Sequence, residues 1–256
     1  MYKQILYGFV LFGLLYILGC SKDANSDPIS LQEYLDDHSE LVAHDELIAC
    51  AAGGQADFLA DPEFPLSLFL KPHYLGVSDI RYYESSSPNI DPEDLSLFIE
   101  KEAKQESLFN GFLHRFKLPP TEDTWARVSF IANDTLWYCK AIRFKFHEQA
   151  SIFAPELCSV DLSTPVEPLF QWQEGNSQNN IIFFQVLSDQ NGSAISGTYT
   201  TDPFFQFYNT SNVVLNVTHP GPTPVLEANK QYQFTLMGVS TDNWVNLIIQ
   251  KAFTTE

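Results

Sequence analysis

The chain has 256 residues, a formal net charge of −18, and 14% aromatic against 18% charged residues. A hydrophobic content of 45% suffices for buried cores and is too high for a disordered chain. No basic patch is available to neutralise phosphates, which argues against nucleic acid as a partner, and the acidic excess repels anionic surfaces.

The first residues, MYKQILYGFVLFGLLYILGC, set Lys3 ahead of an uncharged run from Ile5 to Leu18. That run is shorter than the roughly 20 residues a membrane-spanning helix needs. A charged start, a short apolar centre and a small residue before the cut are the parts of a secretory signal peptide. Ile17-Leu18-Gly19-Cys20 resembles the lipobox of bacterial lipoproteins. The resemblance implies removal of residues 1–19 and acylation of Cys20, where two or three acyl chains hold a protein to a membrane durably. No cofactor is expected beyond that covalent lipid. The following CSKDANSD resembles the acidic export signal of Bacteroidota lipoproteins, which implies the outer membrane, with the cell surface favoured over the periplasmic face.

Residues 20–46 read as the acylated Cys20 and an acidic tether, with eight acids and one Lys in 21–46. Within it Ser30 and Glu33 have capping-box spacing ahead of a short helix presenting Leu31, Tyr34 and Leu35. From residue 47 the texture changes to short apolar runs between turn residues. ELIACAAG, FPLSLFLKP, DIRYYESS, LFNGFLHRFKL, WARVSFIA and TLWYCKAIRFKF read as strands, the last two joined by the tight-turn pair Asn133-Asp134. The segment 92–104 fits either a helix, with Asp91-Pro92 at its start, or an edge strand. The pattern predicts an Ig-like β-sandwich over 47–158.

Residues 159–256 repeat the pattern. EPLFQW, IIFFQVLSD, AISGTYTTD, PFFQFYN, NVVLNVTH, QYQFTLMGVS and VNLIIQKAFTT read as strands, with a hairpin at Asn191-Gly192 and a loop at Pro220, Pro222 and Pro224. Leu226 precedes Tyr232 by six residues, followed by alternating Phe234 and Leu236. This stretch resembles a fibronectin type III domain, a seven-stranded Ig-like sandwich. The resemblance implies that Leu226 and Tyr232 form its tyrosine corner and that Trp172 is its buried strand-B tryptophan. It carries no function with it. The expected fold is therefore all-β, two tandem Ig-like and fibronectin type III-like sandwiches, in the manner of Bacteroidota surface lipoproteins.

Chemistry is sparse. Beyond Cys20 there are Cys50, Cys139 and Cys158. Cys50 and Cys139 begin the first and last strands of the first sandwich and are the candidate disulfide; the alternative is three buried free thiols. No CxxC, HExxH, GxSxG or Gly-rich phosphate loop occurs, so no catalytic residue and no metal ligand set is assigned. Asp91, Glu93 and Asp94 lack calcium-loop spacing and read as a solvated turn. Trp244, Tyr208 and Phe205 are the candidate ligand-contact aromatics, weighed against core or interdomain packing. Thr135, in NDTL, resembles the Asp-Thr-aliphatic acceptor of Bacteroidota O-glycosylation. The expected function is a non-enzymatic, membrane-anchored binding, adhesion or assembly module with a protein partner. The alternative is a glycan-binding lipoprotein of an outer-membrane uptake system.

Overall fold

A computed structural model describes residues 27–54, 61–71, 76–177 and 179–256; Cys20 lies outside them. The first unit comprises helix α1 (Leu31–Asp37) and strands β1 (Val42–Leu47), β2 (Ala49–Gly53), β3 (Leu66–Leu70), β4 (Ser78–Ser85), β5 (Phe98–Lys101), β6 (Lys104–Leu108), β7 (Leu113–Leu118), β8 (Trp125–Ala132), β9 (Thr135–Cys139) and β10 (Ile142–Arg143). The second comprises β11 (Ile152–Phe153), β12 (Cys158–Asp161), β13 (Leu169–Trp172), β14 (Ile182–Asp189), β15 (Ala194–Thr200), β16 (Phe204–Gln206), β17 (Val213–Asn216), β18 (Gln231–Val239) and β19 (Val245–Thr254).

The strands form four sheets among the described residues, ordered β1-β9-β8-β4-β5 with β10 on β8, β2-β3-β7-β6, β11-β19-β18-β14-β15-β17, and β12-β13-β16. In the first unit β2-β3-β7-β6 faces β9-β8-β4, the A-B-E-D and G-F-C layout of an Ig-like sandwich. The second unit has a related plan, with three-stranded β12-β13-β16 against β19-β18-β14, β11 added beside β19, and β15 then β17 added beyond β14. The fold is all-β, as the strand pattern predicts.

Apolar cores fill the spaces between successive sheets. Leu68, Phe116, Val128 and Phe130 fill the first sandwich, and Phe170, Phe183, Phe234 and Leu236 the second. A third core joins the two: Phe69 and Phe112 of the first unit meet Phe184, Tyr199 and Met237 of the second. The two middle sheets are thus buried on both faces. This explains why β3, Leu-Ser-Leu-Phe-Leu, is buried at every position instead of alternating. The outer face of the first sheet is covered by α1, with Leu31 and Tyr34 packed on Tyr83 and Phe98.

The segment expected as a tether is therefore folded from about residue 29. Ser30 and Glu33 close the capping box, Glu100 N–H donates to Ile29 O (2.9 Å), and β1 runs parallel to β9. The acids stay outside while Leu31 and Tyr34 cover a sheet face that would otherwise be wet. The undecided segment resolves as one 3₁₀ turn, Leu95–Leu97, leading into edge strand β5. The chain enters the second sandwich at Ile152, where β11 joins β19, earlier than the expected 159.

Local turn chemistry matches expectation at three places. Asn133 and Asp134 adopt φ of 52° and 56° between β8 and β9, as a two-residue hairpin of left-handed residues requires. Gly192, at φ 81°, closes the β14–β15 hairpin. The Tyr232 hydroxyl accepts from Glu227 N–H (2.9 Å) with Leu226 buried beneath it, and Trp172 packs edge-on to Phe183 at 5.3 Å.

Candidate functional site

The described surface is acidic, yet no Asp, Glu, Lys or Arg occurs from Pro203 to Leu226. This stretch contains β17, the terminal strand of a six-stranded sheet, hydrogen-bonded on one side only, to β15. Its sequence is Val-Val-Leu-Asn, with Val214 57% and Leu215 42% exposed, and Val225 is 83% exposed. The strand offers unpaired backbone groups flanked by apolar side chains, the geometry that accepts a further strand.

Other edges are guarded. β1 carries Asp45 and Glu46, β6 carries Lys104 and Glu106, and β12 ends in Asp161. β5 carries Glu100 and Lys101 and is also covered by the backbone of 29–30. The uncharged β2 is closed by Asn243 and Trp244, since Ala51 N–H donates to Asn243 O (3.0 Å). Among the described strands of four or more residues, β17 alone is an open edge without charge. Charged or covered edges prevent sheet-to-sheet association, so a bare one marks a docking surface or a liability.

Beside β17 a cavity of about 290 Å³ is lined by Tyr208, Asn216, Thr218, His219 and the Pro220–Pro224 loop. The Tyr208 hydroxyl accepts from Asn216 Nδ2 (2.7 Å) and donates to Thr218 Oγ1 (3.2 Å), which fixes the ring and the start of the loop. Tyr208 is half-buried, so this candidate aromatic lies at the surface beside the bare edge.

The other two candidate aromatics do not. Phe205 points into the second core, because β16 alternates and places Phe204 outward instead. Trp244 is fully buried in the core of the first sandwich, which is the interdomain packing weighed against ligand contact. The β18–β19 turn that carries it docks onto the neighbouring unit. Trp244 Nε1 donates to Gln149 O (2.8 Å), Asn243 Nδ2 donates to Ala141 O (3.0 Å), and Lys145 pairs with Asp242 (2.5 Å). Trp244 is an interdomain plug.

The candidate disulfide is not formed: Cys50, Cys139 and Cys158 are free thiols. Along β2, Ala49 and Ala51 face the first core while Cys50 faces the third. Cys139 belongs to the first core, so the β2-β3-β7-β6 sheet lies between the two sulfurs. Burial pushes the Cys50 thiol up to about 12 and Cys139 and Cys158 up to about 11. Thr135, the candidate glycosylation acceptor, opens β9 half-buried, its hydroxyl donating to Asn133 O (3.3 Å). No helix among the described residues is long and apolar enough to cross a membrane.

No protein-family model and no curated protein sequence matches the chain. Among solved structures it is similar to Tp47, the 47-kilodalton lipoprotein of Treponema pallidum. There the identity is 7% and the TM-score 0.32, over 80% of this chain and 50% of that one. It is also similar to the FN1–FN3 domains of chicken CNTN1, at 13% identity and a TM-score of 0.28, over 82% of this chain and 62% of that one. The chain thus spans half the length of the first and under two thirds of the second. The architecture rests on the strand order and cores described above.

Proposed function

We propose that this chain is a lipid-anchored, non-enzymatic binding module of a Bacteroidota-type outer membrane, with a fibronectin type III-like second unit. Cys20 holds it to the membrane, and β17 accepts an extended, uncharged segment of a partner protein as an added strand. What carries the reading is Val213–Asn216, the single bare edge among the described strands of four or more residues, the others being charged or covered. Backbone hydrogen bonds would supply the affinity of such a contact, and the apolar side chains of β17 its selectivity. The fused sandwiches act as a rigid support for that edge.

The reading is tested with a photo-crosslinking amino acid at Leu215 of the full chain in intact cells. A discrete adduct is expected, abolished by Val214→Asp, with no such adduct from the same probe at the charged edge position Asp45. Adducts that survive Val214→Asp, or that form equally from both positions, overturn it. Cys20→Ala should abolish labelling by radioactive palmitate; a label that persists removes the anchor.

A further inference from the structure

Among the described residues, the outer face of β12-β13-β16 is the one sheet face of the stack left without a covering element. The first sheet is covered by α1, and the remaining faces meet across the three inner cores. On this open face Ser159, Gln171 and Phe204 lie directly opposite one another across the three strands. All three are exposed. They line a groove of about 500 Å³ together with Glu156 and Gln173. That volume lies within the roughly 300–1,000 Å³ of small-molecule sites.

The lining is chemically specific. The side chains of Gln171, Gln173 and Glu156 make no hydrogen bond or ion pair with the described residues. Ser159 makes one long contact, its hydroxyl donating to Gln171 O at 3.4 Å. Each amide presents a donor and an acceptor in one plane, which matches the alternating donor and acceptor character of neighbouring hydroxyls. The Glu156 carboxylate, with two acceptor oxygens, has capacity for further hydroxyls. The Phe204 ring, 39% exposed at the edge of the groove, offers a flat apolar face for the C–H side of a sugar ring. No Lys or Arg lines the groove, and the chain's net charge of −18 opposes any anionic ligand.

We infer that the groove formed by Ser159, Gln171, Gln173, Glu156 and Phe204 binds a neutral saccharide. The site is independent of β17, since it lies on the other sheet of the second sandwich and uses different side chains.

The test is electrophoresis of the detergent-solubilised full chain in native gels cast with starch, xylan, galactomannan or mixed-linkage glucan, and with alginate as the anionic comparison. Retardation by at least one neutral polysaccharide and none by alginate is expected. Phe204→Ala and Gln171→Ala should each weaken the binding by about tenfold with unchanged thermal unfolding, because one stacking contact or one bidentate hydrogen bond is removed from an exposed site. Val214→Asp, which disables the proposed protein edge, should leave the retardation intact. Migration unaffected by every neutral polysaccharide overturns the proposal. So does retardation that survives both groove substitutions, or that alginate produces equally.

Discussion

The Phe112 ring of the first sandwich rests on the Cα of Gly197 in the second, so close that a Cβ at 197 would lie 2.3 Å from Phe112 Cζ and 3.2 Å from Val217 Cγ2. Lys71 Nζ sits 4.2 Å above the same ring. The two units approach through this absence of a side chain. Gly197→Ala should destabilise the protein by about 1–3 kcal/mol, the range for forcing extra volume into a packed core. Phe112→Leu in that background should recover part of the loss, because the two residues share one contact and their effects are not additive. Chemical denaturation of the four proteins in the cycle measures the coupling. Strictly additive losses would show that the pair does not hold the interface.

Trp244 makes the reciprocal contact, passing from the second unit into the first above Gly53, where a Cβ would lie 3.3 Å from its ring. Trp244→Ala should cost about 3–5 kcal/mol, as large aromatic truncations in cores do. Trp244→Phe keeps the ring but loses the bond to Gln149 O, and should cost about 1–2 kcal/mol. Because the plug crosses between units, the alanine variant should also split one unfolding transition into two by calorimetry. A single transition with an unchanged midpoint would contradict the role.

What the sequence revealed and what it hid divide by range. The hairpins at 133–134 and 191–192, the capping box of Ser30 and Glu33, and the corner of Leu226 and Tyr232 are short-range devices. Their residue types state the backbone they need. The docking of 29–46 was hidden because eight acids outweigh the few apolar residues that do the packing, and because β1 finds its partner β9 some ninety residues later. A signal was present for the third core. FPLSLFL and IIFFQVL are apolar on both alternating faces, the pattern of strands buried on both sides. For Trp244 the sequence leaves ligand contact and interdomain packing both open, because nothing local tells that this turn is capped by a second unit. The bare edge at β17 becomes visible in sequence only as 24 consecutive residues without Asp, Glu, Lys or Arg.

The attachment of α1 should be sensitive to acid. Tyr34 Oη donates to Asp79 Oδ2 (2.5 Å), and Arg81 Nε donates to Asp79 Oδ1 (2.9 Å) while its guanidinium lies 4.2 Å over the Tyr34 ring. Partial burial acts to raise the Asp79 carboxyl, but the bonds from Arg81 and Tyr34 outweigh it and hold the group below its ordinary 3.8. A lowered folded value means the stabilisation is complete above the ordinary value and is lost as the pH falls toward the depressed one. Unfolding midpoints followed from about pH 6 to about pH 2.5 should therefore decline. Asp79→Asn should lower the neutral-pH midpoint and flatten part of that decline. Asn tolerates the φ of 49° at this position, so the substitution adds no backbone strain. Parallel curves for the two proteins would exclude Asp79 as the acid-labile link.

The three thiols provide the last prediction. Cys139 and Cys158 are buried and Cys50 is half-buried, and desolvation raises each of them to about 11 or 12. At pH 8 almost none is thiolate, and thiolate is the reactive form. In a Cys20→Ser variant, a disulfide reagent should therefore react slowly with the native protein. In denaturant without reductant it should then titrate three thiols at once, matching the three free cysteines. A single titratable thiol under those conditions would mean that two of the three are paired. The placement of Cys50 and Cys139 on opposite sides of the β2-β3-β7-β6 sheet would then be wrong.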